Sequence, residues 1–179
     1  MKKLLGFVLV GGLSLGTMSQ ADQLTPIGAR FRVGYYFGND FTLNNGHSGS
    51  FAGPEFALDL PIGKAVKGLE FGFSPSIVLG GGLSHGSSVT GQIYRFSLTA
   101  RHQLSANAYA RLEAGFAHCE ARGGNFSDVD DFVGGLAFGY RLNNAPKLVH
   151  RFDPSLEVAG YLSRHRELSG FQIGLSVSF

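Results

Sequence analysis

The sequence predicts an all-β chain, an eight-stranded antiparallel up-and-down transmembrane β-barrel. Three observations predict it. Apolar and polar residues alternate with a period of two through eight separate segments. The apolar face is bulky in segment after segment while the charges collect on the other face, the reverse of a soluble sheet that turns its apolar side to a core. The chain ends in Phe171-Gln172-Ile173-Gly174-Leu175-Ser176-Val177-Ser178-Phe179, apolar at every odd position and small or polar at every even one.

The first element precedes the barrel. Lys2 and Lys3 lead an apolar run from Leu4 to Leu15, followed by Ser19-Gln20-Ala21, a small-x-small cleavage signature. Residues 1–21 read as a signal peptide and residues 22–179 as one barrel domain. Broken by Gly6, Gly11 and Gly12, the run is shorter than the roughly 20 residues of a spanning helix. Lys2 and Lys3 also account for the net charge of +2. The remaining chain is balanced, which removes the electrostatic footprint of a nucleic-acid partner. The single Cys119 excludes an internal disulfide framework and reads as an inert thiol near a strand end.

Each strand is then justified by its two faces. In the first, Ile27, Ala29, Phe31, Val33, Tyr35 and Phe37 oppose Gly28, Arg30, Arg32, Gly34 and Tyr36. The second sets Pro54, Phe56, Leu58, Leu60 and Ile62 against Gly53, Glu55, Ala57 and Asp59. In the third, Leu69, Phe71, Phe73, Pro75, Ile77 and Leu79 oppose Glu70, Gly72, Ser74 and Ser76. Tyr94, Phe96, Leu98 and Ala100 oppose Arg95, Ser97, Thr99 and Arg101 in the fourth. The fifth sets Ala108, Ala110, Leu112, Ala114 and Phe116 against Tyr109, Arg111, Glu113 and Gly115. In the sixth, Phe132, Gly134, Leu136, Phe138, Tyr140 and Leu142 oppose Gly135, Ala137, Gly139 and Arg141. Phe152, Pro154, Leu156 and Val158 oppose Arg151, Asp153, Ser155 and Glu157 in the seventh, and the eighth is the terminal strand. These segments approach the span of a tilted membrane strand, on the order of 9 to 11 residues, and their number is even.

The connections alternate in kind. Gly63 to Gly68, His102 to Asn107 and Asn143 to Lys147 are tight turns, and Lys64, Lys67 and Lys147 fall in them. Gly38 to Phe51, Gly80 to Gly91 and Glu120 to Asp131 are longer and rich in small polar residues, with Ser163 to Glu167 on the same side. Short turns mark the periplasmic side of such barrels, so the second group forms the outside loops.

Alternation in eight strands, short turns against longer loops, and the ending Gln172-x-Gly174-x-x-Val177-x-Phe179 resemble the small outer-membrane barrels of the OmpX and OmpA transmembrane-domain type. The resemblance implies an integral protein of the bacterial outer membrane, in contact with outer-membrane lipid and lipopolysaccharide. It further implies a last strand read by the outer-membrane assembly machinery. Barrels of this kind include adhesins, complement-resistance factors and lipid-modifying enzymes, so the fold alone leaves the role open.

An eight-stranded barrel is just wide enough for side chains to fill, which argues against a wide channel. The inward set holds Arg30, Arg32, Arg95, Arg101, Arg111, Arg141 and Arg151 against Glu55, Asp59, Glu70, Glu113, Asp153 and Glu157. Enclosed charges that lack partners are costly, so this balance predicts a closed, salt-bridged interior. Folding the second and third strands about Lys64 and Ala65 places Asp59 roughly opposite Glu70, which reads either as an acid/base pair with one raised pKa or, more simply, as two carboxylates held by Arg30 or Arg32.

Three weaker signals concern ligands or catalysis. His118 lies on the outward face near the external end of strand five, where a lipid-A hydrolase would show its base, but only Ser127 and Asp130 in the adjoining loop are at hand as nucleophile and orienting acid. Pro54 and Pro75 become near cross-strand neighbours under the same folding, and with Pro154 they suggest either missing wall hydrogen bonds that open a lateral gate for a lipid chain or, more simply, strand distortion near bulges. Asp128-Val129-Asp130-Asp131 lacks the glycine and glutamate of a calcium loop, while Arg164-His165-Arg166 suits lipopolysaccharide phosphates.

No catalytic, cofactor-binding or metal-ligating residue is therefore assigned, and no cofactor is expected. The expected role is structural or surface-interacting, through extracellular loops and an extracellular ligand the sequence does not identify. The alternatives are a lipid-A-modifying acyl hydrolase or acyltransferase, and a narrow ion channel. A soluble lipocalin-like barrel would enclose the Phe set and expose every Arg and Glu.

Overall fold

The computed structural model describes residues 28–42, 48–66, 68–84, 87–122, 128–142 and 154–178. Eight strands follow one another: β1 (Arg30–Thr42), β2 (Ser48–Val66), β3 (Leu69–Ser84), β4 (Ser87–Gln103), β5 (Ala108–Arg122), β6 (Val129–Arg141), β7 (Ser155–Ser163) and β8 (Gly170–Ser178). Each is antiparallel to the next, and β8 returns to β1 to close the barrel. Closure leaves no free sheet edge, the condition for a sheet to cross lipid.

Parity decides which face looks out. Leu98 is 65% exposed and Phe116 58%, while Arg95 is 1% exposed and Arg111 2%. An apolar belt thus surrounds a charged interior, the inversion that the alternation predicts, and a soluble lipocalin-like arrangement is overturned. The same belt includes Phe31, Val33, Leu58, Phe138, Leu156 and Ile173. Ring contacts stitch it across strands, as where Phe37 of β1 stacks on Phe171 of β8 at 4.7 Å.

The hairpins between β2 and β3 and between β4 and β5 lie at one end, with the start of β1 and the finish of β8; this is the turn end. Gly68 makes the first of these hairpins possible, since its φ of +84° is a conformation that glycine adopts without steric cost. The connections β1–β2, β3–β4, β5–β6 and β7–β8 gather at the opposite, hairpin end.

Three sequence expectations need correction. Much of the predicted loops is strand: β3 and β4 pair without interruption from Gly80↔Gly91 to Ser84↔Ser87. Glycine and serine weaken alternation there, but each ladder neighbour still supplies a hydrogen-bond partner. The β2–β3 register is also displaced. The hairpin turns between Val66 and Leu69, not at Lys64 and Ala65, and with shifts between Pro61 and Gly63 and between Lys64 and Val66 it pairs Leu60 with Phe73 and Lys64 with Glu70. Asp59 therefore does not face Glu70, and Pro54 and Pro75 are not neighbours: Pro54 pairs with Tyr35 of β1, and Pro75 with Phe96 of β4. Of Pro54, Pro61 and Pro75, only Pro61 sits at a register shift, where an irregular pair needs fewer N–H groups; Pro54 and Pro75 lie in unbroken register with Tyr35 and Phe96. Finally, Pro154 is not an outward member of strand seven. It is buried ahead of β7, and its carbonyl accepts the Leu142 N–H at 2.8 Å. The predicted signal segment, Ile27, Lys67, Ser127, Lys147, Arg151, Phe152, Asp153 and Phe179 lie outside the described residues.

Candidate functional site

Inward parity brings the charged side chains of four strands, β1, β2, β5 and β7, into one network. Arg32 of β1 and Arg111 of β5 share the carboxylates of Asp59, Glu113 and Glu157. Arg32 stands 3.0 Å from Glu157 and 3.5 Å from Asp59. Arg111 stands 2.8 Å from Glu113 and 3.4 Å from Asp59. The neutral groups complete it: the Ser74 hydroxyl donates to Asp59 at 2.6 Å, Tyr109 donates to Glu157 at 2.9 Å, and Gln172 accepts from Arg32 at 3.2 Å. Arginine suits this position because its planar fork divides between several acceptors.

Toward the turn end, Arg30 grips Glu70 with both terminal nitrogens. The two carboxylates that a simple hairpin would set face to face thus have separate arginines, and no acid/base pair forms between them. Arg101 lies over the Tyr109 ring at 3.6 Å, a cation–π contact in a desolvated place. Room for Tyr109 comes from Gly139, where an added Cβ would fall 2.0 Å from the Tyr109 ring.

Toward the hairpin end the chemistry changes. Arg95 meets Glu55 at 3.1 Å and lies over the rings of Tyr36 and Tyr161, at 4.6 and 4.1 Å. Beyond it the interior is apolar, with Phe51, Val78, Ile93, Cys119, Val133 and Leu168 buried together. Cys119 is a packed, free thiol in this plug. The expected salt-bridged interior is therefore only part of the filling. The plug escaped alternation because Val78, Ile93 and Val133 are apolar inward positions between outward residues that are also largely apolar, and Leu168 lies in a connection.

That connection, between β7 and β8, folds inward as a 3-10 turn over Arg166–Leu168, with Leu168 fully buried. Asp131 pins it: its carboxylate accepts the Ser163 hydroxyl at 2.6 Å and the backbone N–H groups of Arg164 and His165 at 2.9 and 3.3 Å. The Ser163 bond, then the surrounding backbone donors, hold the Asp131 carboxyl down at about 2. The Asn39 N–H closes the other side on the Ser169 carbonyl at 2.9 Å. Arg164, His165 and Arg166 are left exposed on top.

On the outer wall, Phe96, Phe116 and Phe132 form a continuous row of the belt across β4, β5 and β6. The next outward row is Tyr94, His118 and Asp130, where charge appears and the apolar belt stops. The structure brings His118 to Asp130, Nδ1 at 2.7 Å, and to Glu120, Nε2 at 3.3 Å. The bond to Asp130 raises the His118 pKa and favours imidazolium. A general base needs one ring nitrogen free toward a nucleophile, and both here meet carboxylates. Asp130 turns outward and Asp131 serves the β7–β8 turn, so the acidic run is divided between two faces. Among the described residues no group of three or more His, Cys, Asp or Glu is arranged to hold a metal ion.

No protein-family model and no curated protein matches the chain. Among solved structures, it is similar to Ail, the attachment invasion locus protein of Yersinia pestis, in complex with the heparin analogue sucrose octasulfate. That likeness has 10% sequence identity and a TM-score of 0.56, over 87% of this chain and 100% of the other. The chain is also similar to the outer membrane protein OprG from Pseudomonas aeruginosa, at 9% identity and a TM-score of 0.53, over 89% of this chain and 99% of that one. At such identities the likeness is one of fold.

Proposed function

We propose that this chain, an eight-stranded β-barrel of the outer-membrane type, is an integral outer-membrane protein that presents its hairpin end to the outside and works there by surface interaction, without catalysis. The observation that carries this reading is the pinned β7–β8 turn. It seals the barrel mouth with Leu168 while displaying Arg164, His165 and Arg166. The backbone that carries the two arginines is already ordered, so only side-chain freedom is lost on meeting phosphate or sulfate groups, and charge-assisted bonds to them are strong. Ail was crystallised with a sulfated sugar, and an anionic saccharide, including the phosphorylated sugars of lipopolysaccharide, is the ligand class that suits this turn.

A barrel filled by a salt-bridge network and an apolar plug favours a scaffold over a channel. Removal of residues 1–21 on export, and recognition of β8 by the assembly machinery, belong to the same reading.

The test uses the chain refolded in lipid nanodiscs with lipopolysaccharide or a sulfated oligosaccharide as probe. Arg164→Ala combined with Arg166→Ala is expected to weaken binding about tenfold or more and to increase its resistance to salt by removing charge contacts. Unchanged binding would overturn the role of the turn. In planar bilayers the intact protein is expected to give no steady conductance, and discrete channel steps would restore the channel reading.

A further inference from the structure

On the outer wall of β3, β4 and β5 a cleft of about 470 Å³ opens at the hairpin-end border of the belt, lined by Leu79, Gly80, Thr90, Gly91, Gln92 and Glu120. Its volume falls within the roughly 300–1,000 Å³ of small-molecule sites. Leu79, Thr90, Gln92 and Glu120 share outward parity with the belt, so the cleft faces the lipid side of the wall and not the barrel interior. Gly80 and Gly91, paired across β3 and β4, lie between these outward residues, and the inner side of Gly80 is filled by the Phe51 ring.

The polar groups here are already oriented. The Tyr94 hydroxyl donates to Gln92 Oε1, a bond that leaves the Gln92 amide nitrogen unused, and Gln92 lines the cleft. Tyr94 is itself stacked on His118, with ring centroids 6.4 Å apart. His118, held by Asp130, takes one oxygen of Glu120, leaving the other as an acceptor. A fixed amide donor beside a fixed carboxylate acceptor, with the Thr90 hydroxyl, is a match for vicinal hydroxyl groups, each of which both donates and accepts. Glu120 and Asp130 disfavour a phosphate at the same place. Leu79, 40% exposed, stands beside Gln92 as its cross-strand partner, and Ile77, the next outward residue of β3, continues from it into the apolar belt.

We propose that this cleft holds the sugar headgroup of a membrane glycolipid, hydroxyl groups on Gln92, Glu120 and Thr90 and acyl chains running down the wall past Leu79. The proposal rests on the outer-membrane reading, and it deepens that reading by naming a lipid ligand on a wall separate from the basic turn.

The probe is a hexosyl-diacylglycerol, with phosphatidic acid as the phosphate-headed control, each offered to the full folded chain in detergent micelles and read by native mass spectrometry. Heat-modifiable gel mobility is measured first: its absence would sink the barrel reading itself, before any lipid is added. Given a folded barrel, the hexosyl lipid should be retained about tenfold more than phosphatidic acid, and Gln92→Ala or Glu120→Ala should abolish that preference while leaving mobility unchanged. Arg164→Ala with Arg166→Ala should leave it intact. Equal retention of the two lipids, or a preference that survives both cleft substitutions, would overturn the site.

Discussion

Individual residues in this barrel act through the company they are forced to keep. Arg111 serves three carboxylates at once. Replacing it by alanine strands buried negative charge, and a loss of about 3–5 kcal/mol is expected, measured by urea unfolding in lipid vesicles. Gly139→Val should also destabilise the fold, because the new side chain would occupy the space of the Tyr109 ring and displace it from Arg101 and Glu157. Loss of the heat-modifiable band at lower temperature would register this. At the rim, His118 has its pKa raised, so the stability it contributes is complete below its unfolded value of about 6.5 and is lost as pH climbs through the folded value. Asp130→Asn should move the His118 ring titration downward in an NMR pH series. An unmoved titration would mean that Asp130 is not the partner that sets it.

At the scale of elements, the β7–β8 turn is the part whose stability depends on one side chain. Asp131→Asn keeps the shape but weakens the acceptor, and the amides of Arg164 and His165 should lose hydrogen-exchange protection while the strands keep theirs. The carboxyl of Asp131, held at about 2, lies below its ordinary unfolded value of about 3.9. Its contribution is therefore complete above that unfolded value and disappears as pH falls through about 2, so turn protection should be flat from about pH 5 to 8. The strands themselves were legible in the sequence because a membrane barrel writes its two faces in opposite chemistry. Register was less so: alternation does not say where the chain turns, and a β2–β3 hairpin that turns between Val66 and Leu69, not at Lys64 and Ala65, carries Asp59 away from Glu70 to Ser74. The inward folding of the β7–β8 turn left only Leu168 as a trace, and one leucine in a polar loop carries no period.

For the whole molecule, composition of the two faces decides location. The belt demands lipid, and among the described residues charged and apolar side chains fill the interior. Boiled and unboiled samples should accordingly differ in gel mobility, with strand-rich circular dichroism in the unboiled form. A chain that stays soluble without detergent and shows no shift would contradict the arrangement. Candidate sites were harder to read than the fold because they depend on groups meeting across strands. His118, Asp130 and Glu120 were each visible, yet the dyad they form and the cleft beside Gln92 arise only once β4, β5 and β6 are in register.

Arg32 belongs to β1, yet its acceptors Glu157 and Gln172 belong to β7 and β8, the last strands to be made. Asp59 of β2 and Glu113 of β5 also reach Arg32, at 3.5 and 3.6 Å, but its nearest carboxylate, Glu157 at 3.0 Å, arrives only at the seam. An unclosed sheet would carry a guanidinium with an incomplete set of acceptors into a dehydrating environment, which makes half-zipped intermediates costly and their population small. Insertion and ring closure then become a single cooperative event, and the seam strand β8 acts as the latch whose arrival commits the chain.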